Sequence, residues 1–144
     1  MKKLRFFIFV ALLLPVTSSF AAPLPTSTGQ KILIPYAQIG NGYWSGVAIH
    51  NISTGSQTYL LTVYKSDGIY QYVGSFSVAA HAMKVDLLEN FFSGTAPSGR
   101  MSVLIQCATD GALPFQATLF VGSDQGFAFQ NYKSDAYTFT IAGP

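Results

Sequence analysis

Apolar and polar positions alternate along most of this chain, and the alternation predicts strands. Ile32, Leu33 and Ile34 form an apolar run that stops at Pro35. A Gly-Asn-Gly turn follows at 40–42, and Val47, Ile49 and Asn51 then share one face of an alternating segment. After the polar cluster Ser53 to Ser56, the positions Tyr59, Leu61 and Val63 alternate up to the turn dipeptide Asp67-Gly68. The stretch from Lys31 to Gly68 therefore reads as three strands with their turns, and the rest of the chain is organised around it.

Ile69 to Val78 carries β-formers, with Phe76 and Val78 alternating with Ser75 and Ser77 and a bulge expected at Gly74. Met83, Val85 and Leu87 share a face, after which Asp86 is placed to cap a single helical turn through Leu88 to Phe92. Met101, Val103, Ile105 and Cys107 line one face of the next strand. Phe115, Ala117, Leu119 and Val121 then alternate with Gln116 and Thr118, Phe127 and Phe129 follow a turn at 122–126, and Tyr137, Phe139 and Ile141 form a last strand. Strands at this spacing without helices between them predict an all-β fold. The expected form is an antiparallel, immunoglobulin-like β-sandwich of about seven to nine strands, with at most one short helical turn near 87–92.

The start of the chain changes the picture. Lys2, Lys3 and Arg5 precede the apolar segment Ile8 to Val16, and SSFAA follows, which is the pattern of a secretory signal peptide over 1–21 cleaved after Ala21. The apolar run is shorter than the roughly 20 residues a membrane span needs. Export to the periplasm, the cell surface or the extracellular space follows, with no membrane span in the mature chain. Residues 22–30, APLPTSTGQ, read as a flexible or extended leader, and 31–144 as a single sandwich domain. Without the first 21 residues the chain keeps five basic residues against six acidic ones, and none of the basic residues cluster. A nucleic-acid binder is thereby excluded, and the low charge content excludes a disordered chain.

Candidate chemistry is sparse. His50 and His81 are the general-base candidates, and neither has a motif around it; His50 falls opposite Val47 and Ile49, on a solvent-facing position. Cys107 is the sole cysteine, so no intramolecular disulfide forms, and its face places it in the core. One Cys and two distant His match no zinc spacing, and Asp67, Asp110 and Asp124 are explained by turn chemistry rather than a calcium loop. Neither a metal nor a cofactor is expected. Asn51-Ile52-Ser53 matches a glycosylation sequon, which is set aside in a chain whose signal peptide is of bacterial type.

Aromatic residues are the excess that calls for an explanation. Tyr64, Phe120, Tyr70 and Tyr72 are the candidates for an exposed patch, since the first two oppose apolar faces and the last two cluster after a turn. Trp44 reads instead as a packing residue beside Gly42 and Gly46. The segment with Tyr137, Phe139 and Ile141 carries no charge after Asp135, and as an edge strand it would be open to self-association.

The segments IPYAQIGNGYWSGVAIHN, TYLLTVYKSDG, FSVAAHAMKVDLLENFF and SGRMSVLIQC together resemble a family of bacterial exported β-sandwich domains. The marks of that family are an Ile-Pro, a Gly-rich turn with Trp, an apolar strand ending in Asn and a Tyr-x-x-Asp-Gly turn, and the resemblance runs from Ile32 to Asn131. It implies a surface or extracellular module and brings no catalytic residues. The expected function is a non-enzymatic exported module that binds a protein or glycan partner or assembles at the cell surface. The alternative is a carbohydrate-binding or accessory domain built on the aromatic patch.

Overall fold

The computed structural model describes residues 26–66, 70–92, 97–108 and 113–140, and within these the side chains of 26–28, 70–73 and 137–140 are left undescribed. The signal peptide expected over 1–21, Asp67, Asp110 and Ile141 lie outside the described residues, as do the side chains of Tyr70, Tyr72, Tyr137 and Phe139.

Among the described residues nine strands make two antiparallel sheets that face each other. In chain order they are β1 (Thr26–Ile39), β2 (Tyr43–His50), β3 (Gln57–Lys65), β4 (Tyr70–Val78), β5 (Met83–Leu87), β6 (Gly99–Cys107), β7 (Gln116–Ser123), β8 (Gly126–Lys133) and β9 (Asp135–Thr140). The first sheet has the order β4-β3-β6-β1-β9 and the second the order β5-β2-β7-β8. The immunoglobulin arrangement keeps its first two strands in one sheet; here β1 and β2 lie in different sheets.

The core follows from the alternation. Ile32 and Ile34 of β1, Tyr59, Leu61 and Val63 of β3, and Met101, Val103, Ile105 and Cys107 of β6 are buried on the inner face of the first sheet. Val47 and Ile49 of β2 with Ala117 and Leu119 of β7 meet them from the second. Tyr59 anchors the centre, stacked on Phe76 at 5.8 Å between ring centroids and edge-on to Phe115 at 4.9 Å. Its hydroxyl donates to Gln57 Oε1, which also accepts from the Cys107 thiol at 3.2 Å. Burial pushes the Tyr59 phenol well above its ordinary value, and the electrostatic influence of the adjacent Cys107 adds to the rise.

Asn51 is the polar residue on which the connections depend. It is fully buried; its Nδ2 donates to the carbonyls of Gly55, Val78 and Ala79, and its Oδ1 accepts from the Ser53 backbone N–H and hydroxyl. One side chain thus closes the β2–β3 turn and ties it to the end of β4.

Several expectations are corrected. The first strand does not stop at Pro35: β1 runs on to Ile39, and the register shifts between Ile34 and Ala37, so that the proline, which cannot donate to a ladder, sits in a bulge. The leader expected over 22–30 is strand from Thr26 onward, because Thr26 to Lys31 pair with Thr140 to Asp135 of β9, an ordering contact remote in sequence. The bulge expected at Gly74 falls instead between Val63 and Tyr64. Gly74 answers a different need, since a Cβ there would come within 2.1 Å of the Phe91 carbonyl oxygen.

The helical turn near 87–92 is a 3-10 turn over Leu88–Phe91. Asp86 is not its cap residue, yet its carboxylate accepts from the Leu87 N–H at 2.9 Å and from Asn90 Nδ2 at 2.6 Å and so holds the turn. The Asn90 bond first, then the Leu87 bond and the nearby Lys84 charge, hold the Asp86 carboxyl below its ordinary value.

Candidate interaction face

The pairing register of the second sheet sorts its side chains into two faces, and the outer one is unusually apolar. In an antiparallel sheet, directly opposed residues point to the same side. Trp44, Gly122 and Phe127 therefore form one rank across the sheet, and Leu87, Gly46, Phe120 and Phe129 the next. Val85, Ala48, Thr118 and Asn131 form a third, and Met83, His50, Gln116 and Lys133 a fourth. Only the fourth rank carries ionisable side chains. Phe127, Phe129, Met83 and Val85 are 66%, 64%, 61% and 57% exposed, with Leu87 and Trp44 also open to solvent.

The aromatic residues form a continuous run. Trp44 and Phe127 lie 6.4 Å apart between ring centroids, Phe127 and Phe120 6.5 Å, and Phe120 and Phe129 6.3 Å. Gly122 makes the run possible: a Cβ at that position would fall 2.3 Å from the Trp44 ring, so only glycine lets the indole lie flat across β7. Trp44 does pack beside Gly46, as expected, but against the outside of the sandwich and not within it.

Strand β5 is turned inside out relative to an ordinary sandwich strand. Its apolar residues Met83, Val85 and Leu87 share a face, as the alternation predicts, and that face is the outer one. Lys84 and Asp86 point the other way, where the 3-10 turn inserts Leu88 and Phe91 into the core in their stead. The Lys84 ammonium sits over the rings of Phe91 and Phe76 at 5.5 and 5.9 Å from their centroids, so its charge is met by aromatic faces.

The predicted patch is not one patch. Phe120 belongs to the outer face of the second sheet, whereas Tyr64 lies on the outer face of the first, in register with Ser102 and Tyr70, so the two residues are on opposite sides of the sandwich. In backbone register Tyr70 and Tyr72 of β4 pair with Tyr64 and Val63. Tyr64 lines a shallow hollow of about 190 Å³ together with Tyr36 and Arg100. Tyr137 and Phe139 lie in β9, at the end of the first sheet, where β1 is its neighbour among the described residues.

The residues that sequence reasoning left out of the patch are Trp44, Phe127, Phe129, Met83, Val85 and Leu87. A signal for some of them is present: Phe127 and Phe129 follow a short turn after Phe120 and Gly122, so a simple hairpin register sets Phe129 opposite Phe120. The inversion of β5 has no comparable local signal.

The other candidates are structural. His50 lies half-buried in the fourth rank of the outer face, and His81 is an exposed turn residue with φ of 54° whose N–H donates to the Ser53 carbonyl. Cys107 is buried. Asn51 of the sequon has its amide fully engaged in the core. Among the described residues no three His, Cys, Asp or Glu side chains come together as a metal site would require. Also among them, no helix is long and apolar enough to cross a membrane.

No protein-family model matches the chain, and no curated protein matches it in sequence. The fold is similar to that of two solved structures. One is Thermotoga maritima 1070, at a TM-score of 0.55 and 12% identity over 74% of this chain and 92% of that one. The other is the Anabaena sensory rhodopsin transducer, at a TM-score of 0.50 and 17% identity over 65% of this chain and 91% of that one. At these identities the likeness is one of fold.

Proposed function

We propose that this chain is an exported, non-enzymatic β-sandwich module that binds a protein partner through the outer face of the β5-β2-β7-β8 sheet. The observation that carries this reading is the open apolar face itself. Trp44, Met83, Val85, Leu87, Phe127 and Phe129 leave on the order of 600 Å² of apolar surface in solvent, taking the full area of a large side chain as ~150–250 Å². That is at the upper end of the ~300–600 Å² found on the largest patch of ordinary monomers and close to the ~800 Å² each side of a specific protein interface contributes. The absence of charge from three of the four ranks fits an apolar, uncharged partner surface better than a charged polymer. Export rests on the charged and apolar pattern of residues 1–21.

A carbohydrate ligand is the second reading, favoured by one end of the same sheet. Tyr43, Phe127, Ser123 and Gln125 bound a hollow of about 320 Å³ in which aromatic surface stands beside polar groups. Rings that stack on a sugar next to hydrogen-bonding side chains would serve such a ligand.

Photo-crosslinking in exporting cells separates these readings from none at all. A crosslinking residue at Val85 or Phe129 is expected to capture a protein, and one at Leu33, on the outer face of the other sheet, is not. Equal capture from both sheets, or none from Val85 and Phe129, rejects the protein-binding face. A glycan array that binds the unmodified protein and loses it on Phe127→Ala favours the carbohydrate reading.

A further inference from the structure

We propose that two copies of this chain join edge to edge, β8 pairing antiparallel with β8 of the second copy across a two-fold axis, so that the two outer aromatic faces become one. Pairing at this edge is independent of what the outer face binds.

The edge strands of a sheet expose unpaired backbone N–H and C=O groups, and folded proteins shield them with prolines, charges, bulges, shortness or a covering segment. Among the described residues strand β8 has none of these devices before its last residue. It is eight residues long, contains no proline and carries no charged residue from Gly126 to Tyr132. It pairs with β7 in unbroken register and stands at the end of the sheet order, with no neighbour on its other edge among the described residues. Both its faces are open: Phe127 and Phe129 on one side, Ala128 and Gln130 on the other, are all exposed.

The flank beside it is open as well. β9 pairs with β1 only as far as Lys31, and the later part of β1 leaves a groove of about 350 Å³ against β8, lined by Pro35, Tyr36, Val121, Ala128, Gln130 and Tyr132. The last strand, β9, is the lesser edge, being six residues long and starting at Asp135.

A second copy is the occupant that the charges select. Opposed residues in an antiparallel pair share a face, so the two-fold axis must pass through a residue, and the central choices are Ala128 and Phe129. An axis at Phe129 sets Gly126 opposite Tyr132 and brings Lys133 to the β7–β8 turn of the second copy, which carries Asp124, twice per dimer, and no like charges meet; an axis at Ala128 would carry Lys133 past that turn, where the chain has already doubled back into β7. Parallel pairing would stack Lys133 on itself. The antiparallel arrangement also sets the Phe127 and Phe129 side chains of the two copies into one stripe, continuous with Phe120 and Trp44 on each side. Such an isologous two-fold contact is the commonest way for identical chains to associate.

Sedimentation of the protein, expressed from its full sequence and purified, tests this between ~1 and ~100 µM, where association by mass action is readable. A concentration-dependent dimer is expected. Ala128→Lys and Gln130→Lys, on the face away from the aromatic rings, are each expected to weaken it at least ~tenfold, because charges near the axis meet their own symmetry mates. Asp124→Lys is expected to weaken it too, and the combination with Lys133→Asp to restore it. A protein that stays monomeric throughout the range overturns the proposal. So does a dimer dispersed by Val85→Lys but not by Ala128→Lys, which would place the copies face to face, or one dispersed only by Phe139→Lys, which would place the contact at β9. Amide hydrogen exchange on the unmodified protein gives a reading that no variant's folding can confuse: protection of Phe127 to Lys133 must rise with concentration, and constant protection counts against the pairing.

Discussion

Replacing Asn51 by Leu keeps the side-chain size and removes every hydrogen bond it makes. Five contacts are lost: three from Nδ2 to the carbonyls of Gly55, Val78 and Ala79, at 2.8, 3.0 and 3.0 Å, and two to Oδ1 from Ser53. The carbonyls keep other partners, since Gly55 still accepts from the Ser53 hydroxyl, Val78 from Ser56 and Ala79 from the Ala82 N–H. The Ser53 N–H loses its partner within a buried turn. Net hydrogen bonds contribute ~1 kcal/mol each, and an orphaned buried donor costs a further ~1–3 kcal/mol; with some relaxation the substitution should destabilise the fold by about 3–5 kcal/mol. For a domain of this length, between the sizes at which 1 kcal/mol shifts the melting temperature by ~4–8 °C and by ~2–4 °C, roughly 3–6 °C per kcal/mol applies, so a fall of about 10–30 °C is expected. Urea unfolding with the slope held constant measures the free energy, and the neighbouring exposed Thr54→Ala serves as control at less than ~0.5 kcal/mol. A loss below ~1 kcal/mol for Asn51→Leu would refute the claim that this side chain ties β2, β3 and β4 together.

Three further outcomes are expected. Tyr59 and Tyr132 both have phenols raised by burial above the ordinary 10.0, so the folded state holds its protons where the unfolded chain releases them; stability should be flat below about pH 10 and fall above it, and Tyr59→Phe should make the alkaline fall shallower in unfolding curves taken across that range. Gly122→Val should displace the Trp44 indole and cost about 1–3 kcal/mol, with a red-shifted tryptophan emission; an unchanged spectrum at unchanged stability would contradict the close contact. The Cys107 thiol should resist a thiol reagent in the folded protein and react at the rate of unfolding, whereas immediate reaction would contradict its burial in the core.

The fold was legible wherever strand pattern and burial coincide. Val47 and Ile49, Tyr59 to Val63 and Met101 to Cys107 alternate in sequence and are buried as the alternation requires. The Gly-Asn-Gly turn was legible for the same local reason: Gly40, Asn41 and Gly42 all take positive φ, and Gly40 and Tyr43 exchange backbone hydrogen bonds across the turn. What local pattern misses is what a remote strand supplies. Residues 26–30 have the composition of a linker, and only pairing with β9, more than a hundred residues later, makes them strand. Pro35 reads as a stop because proline breaks a regular ladder, and a bulge removes the conflict.

The candidate interaction face was harder to read, because period-2 alternation tells which residues share a side of a strand and not which side is wet. Tyr64 and Phe120 each oppose buried residues on their own strands, which is enough to predict that both are outward. That they face away from each other follows only from β3 and β7 lying in different sheets. For β5 the ambiguity is complete. Met83, Val85 and Leu87 look like a core face, and become an outer one because the next residues, Leu88 and Phe91, take the place in the core that they would have filled. A strand that shows Lys84 and Asp86 to the covered side and three apolar residues to solvent departs from the usual rule for sandwiches, and such departures concentrate where a sequence answers to function as well as to folding. Beyond the strand preference of a β-branched side chain, folding gives little reason for Val85 to be apolar. A lysine there should leave stability within ~0.5 kcal/mol of the original, as at other exposed positions, while abolishing capture of the partner on that face. If Val85→Lys instead unfolds the protein, the side chain is part of the core and the face is not a docking surface.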